Sequence, residues 1–243
     1  MSLRRAWSGR KTYATPFAEP HGVPPGDFAP LFVKVEALSA PDENTLLGYA
    51  RDHLLASAET KRRYAESSAG DLIKVARQIA ECFDAGGKLM LCGNGGSAAD
   101  CQHIAAEFTS ILTQTFDRRA LPAMALTTDT SFLTARGNDY GFDSVFARQV
   151  EALGKPGDVL VGSSTSGNSK NVLLAFETAR RMGIKTVGMT GRVGGTMADA
   201  VDIVLRVPAD STAHIQECHI AMGHIIVAVV EKLLFNSDGS DRK

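Results

Sequence analysis

The chain has 243 residues, 44% hydrophobic and 22% charged, with a formal net charge of −1. That length suits one α/β domain with a proper core, or at most two small ones. The near-neutral charge excludes a general electrostatic grip on nucleic acid or an anionic membrane, and no apolar run approaches the roughly 20 residues of a transmembrane helix.

Six of the nine prolines fall in the first 41 residues (Pro16, Pro20, Pro24, Pro25, Pro30 and Pro41), where no helical or strand period survives. Residues 1–41 therefore read as a flexible extension. Arg4 and Arg5 are followed by mixed polar sequence instead of an apolar stretch, so no signal peptide is expected. The four cysteines, Cys82, Cys92, Cys101 and Cys218, form no CxxC pair. That spacing fails for a zinc finger and fits free buried thiols in a reducing, cytoplasmic setting.

Asp42 can cap a helix running to about Ser67, with Leu46, Leu47, Leu54, Leu55 and Ala58 along one side. A second helix carries Leu72, Ile73, Val75, Ile79 and Phe83 and stops at Gly86-Gly87, so a helical hairpin is expected. From Lys88 the chain alternates. Strand-like runs occur at 88–92, 123–127, 158–163, 185–190 and 202–207, and helical patterns at 98–112, 142–153 and 168–182. A last helix is expected from about Thr212 to Phe235. Continuously apolar strands alternating with helices predict an α/β, doubly wound, parallel five-stranded sheet covered on both faces. The whole unit would span 42–235, behind the hairpin and ahead of a short tail, 236–243.

Ligands of open parallel sheets bind at the carboxyl ends of strands, and three of these ends are rich in Gly, Ser, Thr and Asn. Asn94, Gly95, Gly96 and Ser97 follow the first strand and open a helix, an arrangement in which backbone N–H groups and the helix dipole favour an oxyanion. Gly93, Gly95 and Ala98 match GxGxxA, but the acidic residue of a dinucleotide site is misplaced, since Asp117 precedes the second strand. Ser164, Thr165, Ser166 and Ser169 surround the turn after the third strand. One serine there would read as a helix cap. Four hydroxyls, with no Lys in a GKS or GKT context, suit a sugar-phosphate monoester better than a triphosphate. The third such end is the run Gly191 to Gly195.

The "GNGGS" and "STSGNS" loops resemble the SIS (sugar isomerase) domain family. "AADCQHIAAEF", "GNDYGFDSVFARQVEALG" and "IQECHIAMGHI" resemble its heptose-phosphate isomerase branch, over about residues 42–235. Ser163 departs from that pattern, which has an apolar residue there. The resemblance implies a flavodoxin-like sheet and interconversion of a seven-carbon ketose phosphate with its aldose, for heptose precursors of glycoconjugates. Asn138 and Asp139, read as the start of a helix, would then hold sugar hydroxyls.

Aldose–ketose isomerisation needs a base at the carbon beside a carbonyl, and an acid or metal at the enediol oxygens. His103 and Glu107, four apart, share a helix face. Gln216, Glu217, His219 and His224 crowd the start of the last helix. The resemblance implies that His103, Glu107, Gln216 and His224 meet and can hold zinc, with Glu107 and His224 as acid and base; Glu107 and Gln216 would also touch substrate. His219 reads as a surface or packing residue and stays outside the site. Gln216 and His224 are eight apart, about 12 Å along one helix. Either the helix starts after Gln216 or the residues come from different subunits. The resemblance implies a homotetramer, and the last helix, apolar almost all round, agrees with burial by other subunits. A non-catalytic SIS module that binds sugar phosphate or a protein partner, and an isomerase of hexose or pentose phosphates, stand as alternatives.

Overall fold

The computed structural model describes residues 40–242, so the expected extension up to Ser39 lies outside the described residues. The first element is one helix, α1 (Glu43–Asp84), of 42 residues, where a hairpin was expected. The run Ser67-Ser68-Ala69-Gly70 suggested a turn, but it contains no proline. A single glycine costs a helix only about 1 kcal/mol, too little to end one that packs elsewhere. The two halves of α1 differ in environment. Leu72, Val75, Ala76, Ile79 and Phe83 are buried in the core, whereas Leu46, Leu47, Leu54 and Leu55 are 54–69% exposed. The apolar stripe of the first half therefore faces outward instead of into this chain's core.

Five strands follow: β1 (Leu89–Gly93), β2 (Ala123–Ala125), β3 (Val159–Ser163), β4 (Lys185–Thr190) and β5 (Ile203–Arg206). All pair in parallel in the order β2-β1-β3-β4-β5. The helices are α2 (Gly96–Thr109), α3 (Thr130–Tyr140), α4 (Val145–Leu153), α5 (Lys170–Arg181), α6 (Met197–Ala200) and α7 (Thr212–Leu234). Side chains alternate across the sheet as the strand period requires. Leu89, Leu91, Val159 and Val161 join the core under α1, α2 and α7, while Met90, Cys92 and Leu160 join the core under α4 and α5. Every residue of β1 and β3 is buried, so the central strands are covered on both faces.

Helix α3 had no counterpart in the sequence reading. It buries no residue, so no apolar period marks it; its start is fixed by Asp129, whose side chain accepts from the Phe132 N–H at 2.9 Å. Helix α7 is covered largely by its own chain. Met222, Ile226, Val227, Val230 and Leu234 are buried, and Ile225 is 45% exposed. Beyond it the chain doubles back, with the Arg242 N–H donating to the Leu234 carbonyl at 2.7 Å. All four cysteines are free and buried, and burial pushes the Cys82 thiol up to about 11 and Cys101 to about 12. They act as small apolar residues.

The continuity of α1 has a direct test. Gly70 is exposed in mid-helix, and a Cβ added there would meet nothing within 4 Å. Gly70→Ala should therefore raise stability by about 0.5–1 kcal/mol, seen as a higher denaturation midpoint. A lower midpoint would show a turn at this position.

Candidate active site

The order of the strands reverses between β1 and β3, and the crevice at their carboxyl ends is where such sheets bind ligands. The loops expected to hold phosphate lie there. The first turns at Gly95, whose φ of 57° belongs to the left-handed region, and passes into α2 without a side-chain cap. A helix start without a side-chain cap is of the kind that favours an anion. Ser97, in the first turn, is buried.

In the second loop Ser164 and Ser169 bring their hydroxyls to 2.9 Å, and Ser166 lies 3.4 Å from Ser164. Ser169 stands at the N-cap of α5 yet makes no side-chain cap bond. Its hydroxyl faces the other serines, which separates this loop from an ordinary capped helix start. Thr165 is half-buried beside them and its carbonyl accepts from the Gly191 N–H at 3.1 Å. The third loop supports the second by backbone contact. A Cβ on Gly167 would overlap the Gly194 carbonyl, and the Asn168 side chain accepts from the backbone and hydroxyl of Thr196, each at 3.0 Å.

Asn94 does more than line the wall. It exchanges two hydrogen bonds with Asn171, at 2.9 and 2.8 Å, and so ties the first loop to the start of α5. Asn171 is buried at 4% exposure and was not singled out in the sequence, where one more Asn in a polar loop carries no signal. Asn138 and Asp139 stand at the C-terminal end of α3, not at the start of a helix as expected. Both are exposed, and Asn138 donates to Asp139 at 2.8 Å. No hydrogen bond among the described residues joins them to either phosphate loop.

Three of the four residues expected to meet do so within one chain. His103 Nε2 lies 2.8 Å from His224 Nε2, so one ring donates the proton that the other accepts. Glu107 Oε1 is 3.4 Å from His103 Nε2. One ligand atom from each of the three falls within 4.8 Å of the others. The second carboxylate oxygen, Glu107 Oε2, is buried without a hydrogen-bond partner among the described residues. Gln216 lies inside α7, four residues after its start at Thr212, so the expectation that the helix might begin beyond it is corrected. Its amide presses on the start of α2, where a Cβ at Gly96 would overlap it.

Asp100, one turn before His103, was missed by the sequence reading. Burial pushes its carboxyl above the ordinary range, opposed in part by the Gln216 side chain and by His103 and His224. Its Oδ2 also lacks a hydrogen-bond partner among the described residues. An Asp among alanines at a helix start looks like a dipole-favoured surface acid, and only the packing of α7 places it in the site.

His219 is buried, not at the surface, and it gives Ser163 a partner. It is 2% exposed, with Nε2 3.3 Å from the Thr190 carbonyl and Nδ1 3.1 Å from the Ser163 hydroxyl. A carbonyl only accepts, so Nε2 carries the proton and Ser163 donates to Nδ1. Burial holds the imidazole down at about 4.

These residues belong to a recognisable class. Residues 53–191 match the SIS domain family. A phosphoheptose isomerase of Roseiflexus sp. is 55% identical over 184 residues, covering 76% of this chain and 92% of that protein. One from Akkermansia muciniphila is 51% identical over 187 residues, covering 77% and 97%. The solved structure of phosphoheptose isomerase from Neisseria gonorrhoeae superposes with a TM-score of 0.73 at 44% identity, covering 77% of this chain and 99% of that one. The chain belongs to the SIS domain family and, within it, to the phosphoheptose isomerases.

His219 sets a pH dependence of stability. Its folded value lies below the ordinary 6.5, so its contribution is complete above pH 6.5 and is lost as pH falls towards 4. Between pH 7 and 4.5 the native protein should lose about 2–3 kcal/mol more unfolding free energy than the His219→Gln variant. Parallel losses in denaturant titrations of the two proteins would show that His219 is not held neutral.

Proposed function

We propose that residues 42–235 form an aldose–ketose isomerase that converts sedoheptulose 7-phosphate to D-glycero-D-manno-heptose 7-phosphate, supplying heptose precursors of lipopolysaccharide, capsule or other glycoconjugates. The observation that carries this reading is the pairing of an uncapped serine loop with an unpartnered Glu107 oxygen beside His224, at the same end of the sheet.

The phosphate sits between the two loops. Asn94, Gly95, Gly96 and Ser97 present backbone donors at the α2 start, and Ser164, Thr165, Ser166 and Ser169 supply hydroxyls at the α5 start. Asn138 and Asp139 take hydroxyls of the sugar chain, and Gln216 orients the carbonyl end. Glu107 Oε2 removes a proton from C1 while His224 protonates the C2 carbonyl oxygen, which gives an enediol. Glu107 then returns the proton to C2, and His224 takes the proton from the C1 oxygen, which becomes the aldehyde. Without a metal, the free Oε2 suits the base, and the proton shared between His103 and His224 suits the acid.

The donor set also fits zinc: two imidazole nitrogens and a carboxylate oxygen converge, and Oε2 lacks a protein partner. His103, Glu107 and His224 would hold the ion with Gln216 as the fourth candidate, and zinc there would polarise the carbonyl and enediol oxygens.

The working form is a homotetramer in the cytoplasm. The exposed leucines of α1 and Ile225 of α7 provide apolar surface for other copies to cover, and no described helix is long and apolar enough to cross a membrane.

Glu107→Gln keeps the shape and removes the base. Turnover of sedoheptulose 7-phosphate, followed by NMR of the sugar, should fall at least ~10²-fold with KM changed less than about threefold. Near-native turnover would exclude Glu107 as the base. A native protein that binds the sugar without converting it would favour a non-catalytic SIS module, and preference for a hexose or pentose phosphate would move the substrate.

A further inference from the structure

The acid and base sit on two helices, α2 and α7, that no covalent constraint holds together near the site. One buried side chain bridges them. The Arg118 side chain is fully buried in the segment between α2 and β2, and its Nε donates to Glu231 Oε1 on α7 at 2.9 Å. Nη2 donates to the Glu107 carbonyl at 2.9 Å, and Nη1 is shared among the carbonyls of Phe108, Ser110 and Arg119 at 3.0–3.1 Å.

The bonds have a pattern. The last carbonyls of a helix lack intrahelical partners, and a cation is favourable at that end. Helix α2 has no basic residue in its own last turn. Arg118 supplies the missing cation from the following loop, with one of its bonds on the catalytic residue's own backbone. On the other side, Glu231 stands seven residues after His224, two turns further along the same face of α7. The guanidinium thus fixes the separation of α2 and α7 next to the layer in which Glu107 meets His224.

Resting on the catalytic roles proposed above, we infer that Arg118, anchored by Glu231, is a positioning residue for the isomerisation. It sets where Glu107 lies relative to His224 without touching the sugar. A planar fork that reaches four carbonyls and a carboxylate has no substitute in lysine, whose ammonium is a single point with three donors. The serine loop runs from β3 to the start of α5 and touches neither clamped helix end, so its grip on the phosphate does not pass through the clamp.

The test uses Arg118→Lys and Glu231→Gln, both conservative enough to keep a polar partner in place. Each is assayed on sedoheptulose 7-phosphate well below its unfolding midpoint, with near-UV circular dichroism as the check of fold. The inference expects kcat to fall about 10- to 100-fold, the range that a 1 Å misplacement produces, while KM stays within about threefold. The double variant Arg118→Met/Glu231→Leu replaces the ion pair by apolar groups and should recover thermal stability relative to Arg118→Met alone, while kcat stays low. Native kcat in folded Arg118→Lys, or recovery of kcat together with stability in the double variant, would overturn the positioning role. An unmutated protein inert on seven-, six- and five-carbon sugar phosphates would instead overturn the catalytic reading beneath it.

Discussion

Helices α2 and α7 cross on one face of the sheet, and the site exists because they come close. Two glycines permit that approach. A Cβ on Gly223 would lie 2.5 Å from the Ile104 side chain, and one on Gly96 would overlap the Gln216 amide. Neither glycine has a positive φ, so each is needed for space and not for backbone freedom. With that contact made, His103 and Glu107, neighbours on one face of α2, meet His224 of α7, and Asp100 is shut in beside them. Removing the close contact would separate Glu107 from His224 while leaving both helices intact.

The sheet divides the work differently. Its β1 and β3 ends present two loops that are held to each other and to the third loop by backbone and amide contacts. Asn94 and Asn171 bridge the first pair, and Gly167 packs on Gly194 in the second. Such loops have little freedom to reorganise around a ligand. An anion bound there meets fixed donors, in contrast to mobile lysines or arginines, and the arrangement costs little ordering entropy on binding. In the proposed mechanism the helices carry the proton chemistry, and the sheet ends carry the phosphate.

Much of this was legible in the residues. Continuous apolar runs gave the parallel sheet, and loop composition at three strand ends placed the crevice. The i, i+4 spacing of His103 and Glu107 gave one wall of the site. What was not legible depended on packing between distant segments. The hairpin at Ser67–Gly70 is a continuous helix because local breakers were weaker than helix propagation. Asp100 and Asn171 look like ordinary polar residues until α7 and α5 close over them. Helix α3, carrying no buried residue, has no period to read. The distance argument about Gln216 and His224 holds along the axis of α7: Gln216 meets the start of α2, while His224 meets His103 and Glu107 further along it.

The account turns on one spatial claim: a sugar phosphate spans from the serine loop to the Glu107–His224 pair. A structure of the protein with sedoheptulose 7-phosphate bound tests it most directly. The account predicts phosphate oxygens within hydrogen-bond distance of the Ser164, Ser166 and Ser169 hydroxyls and of the α2 start, with C1 and C2 against Glu107 Oε2. A phosphate seated away from both loops, or reacting carbons beyond reach of Glu107, would contradict it.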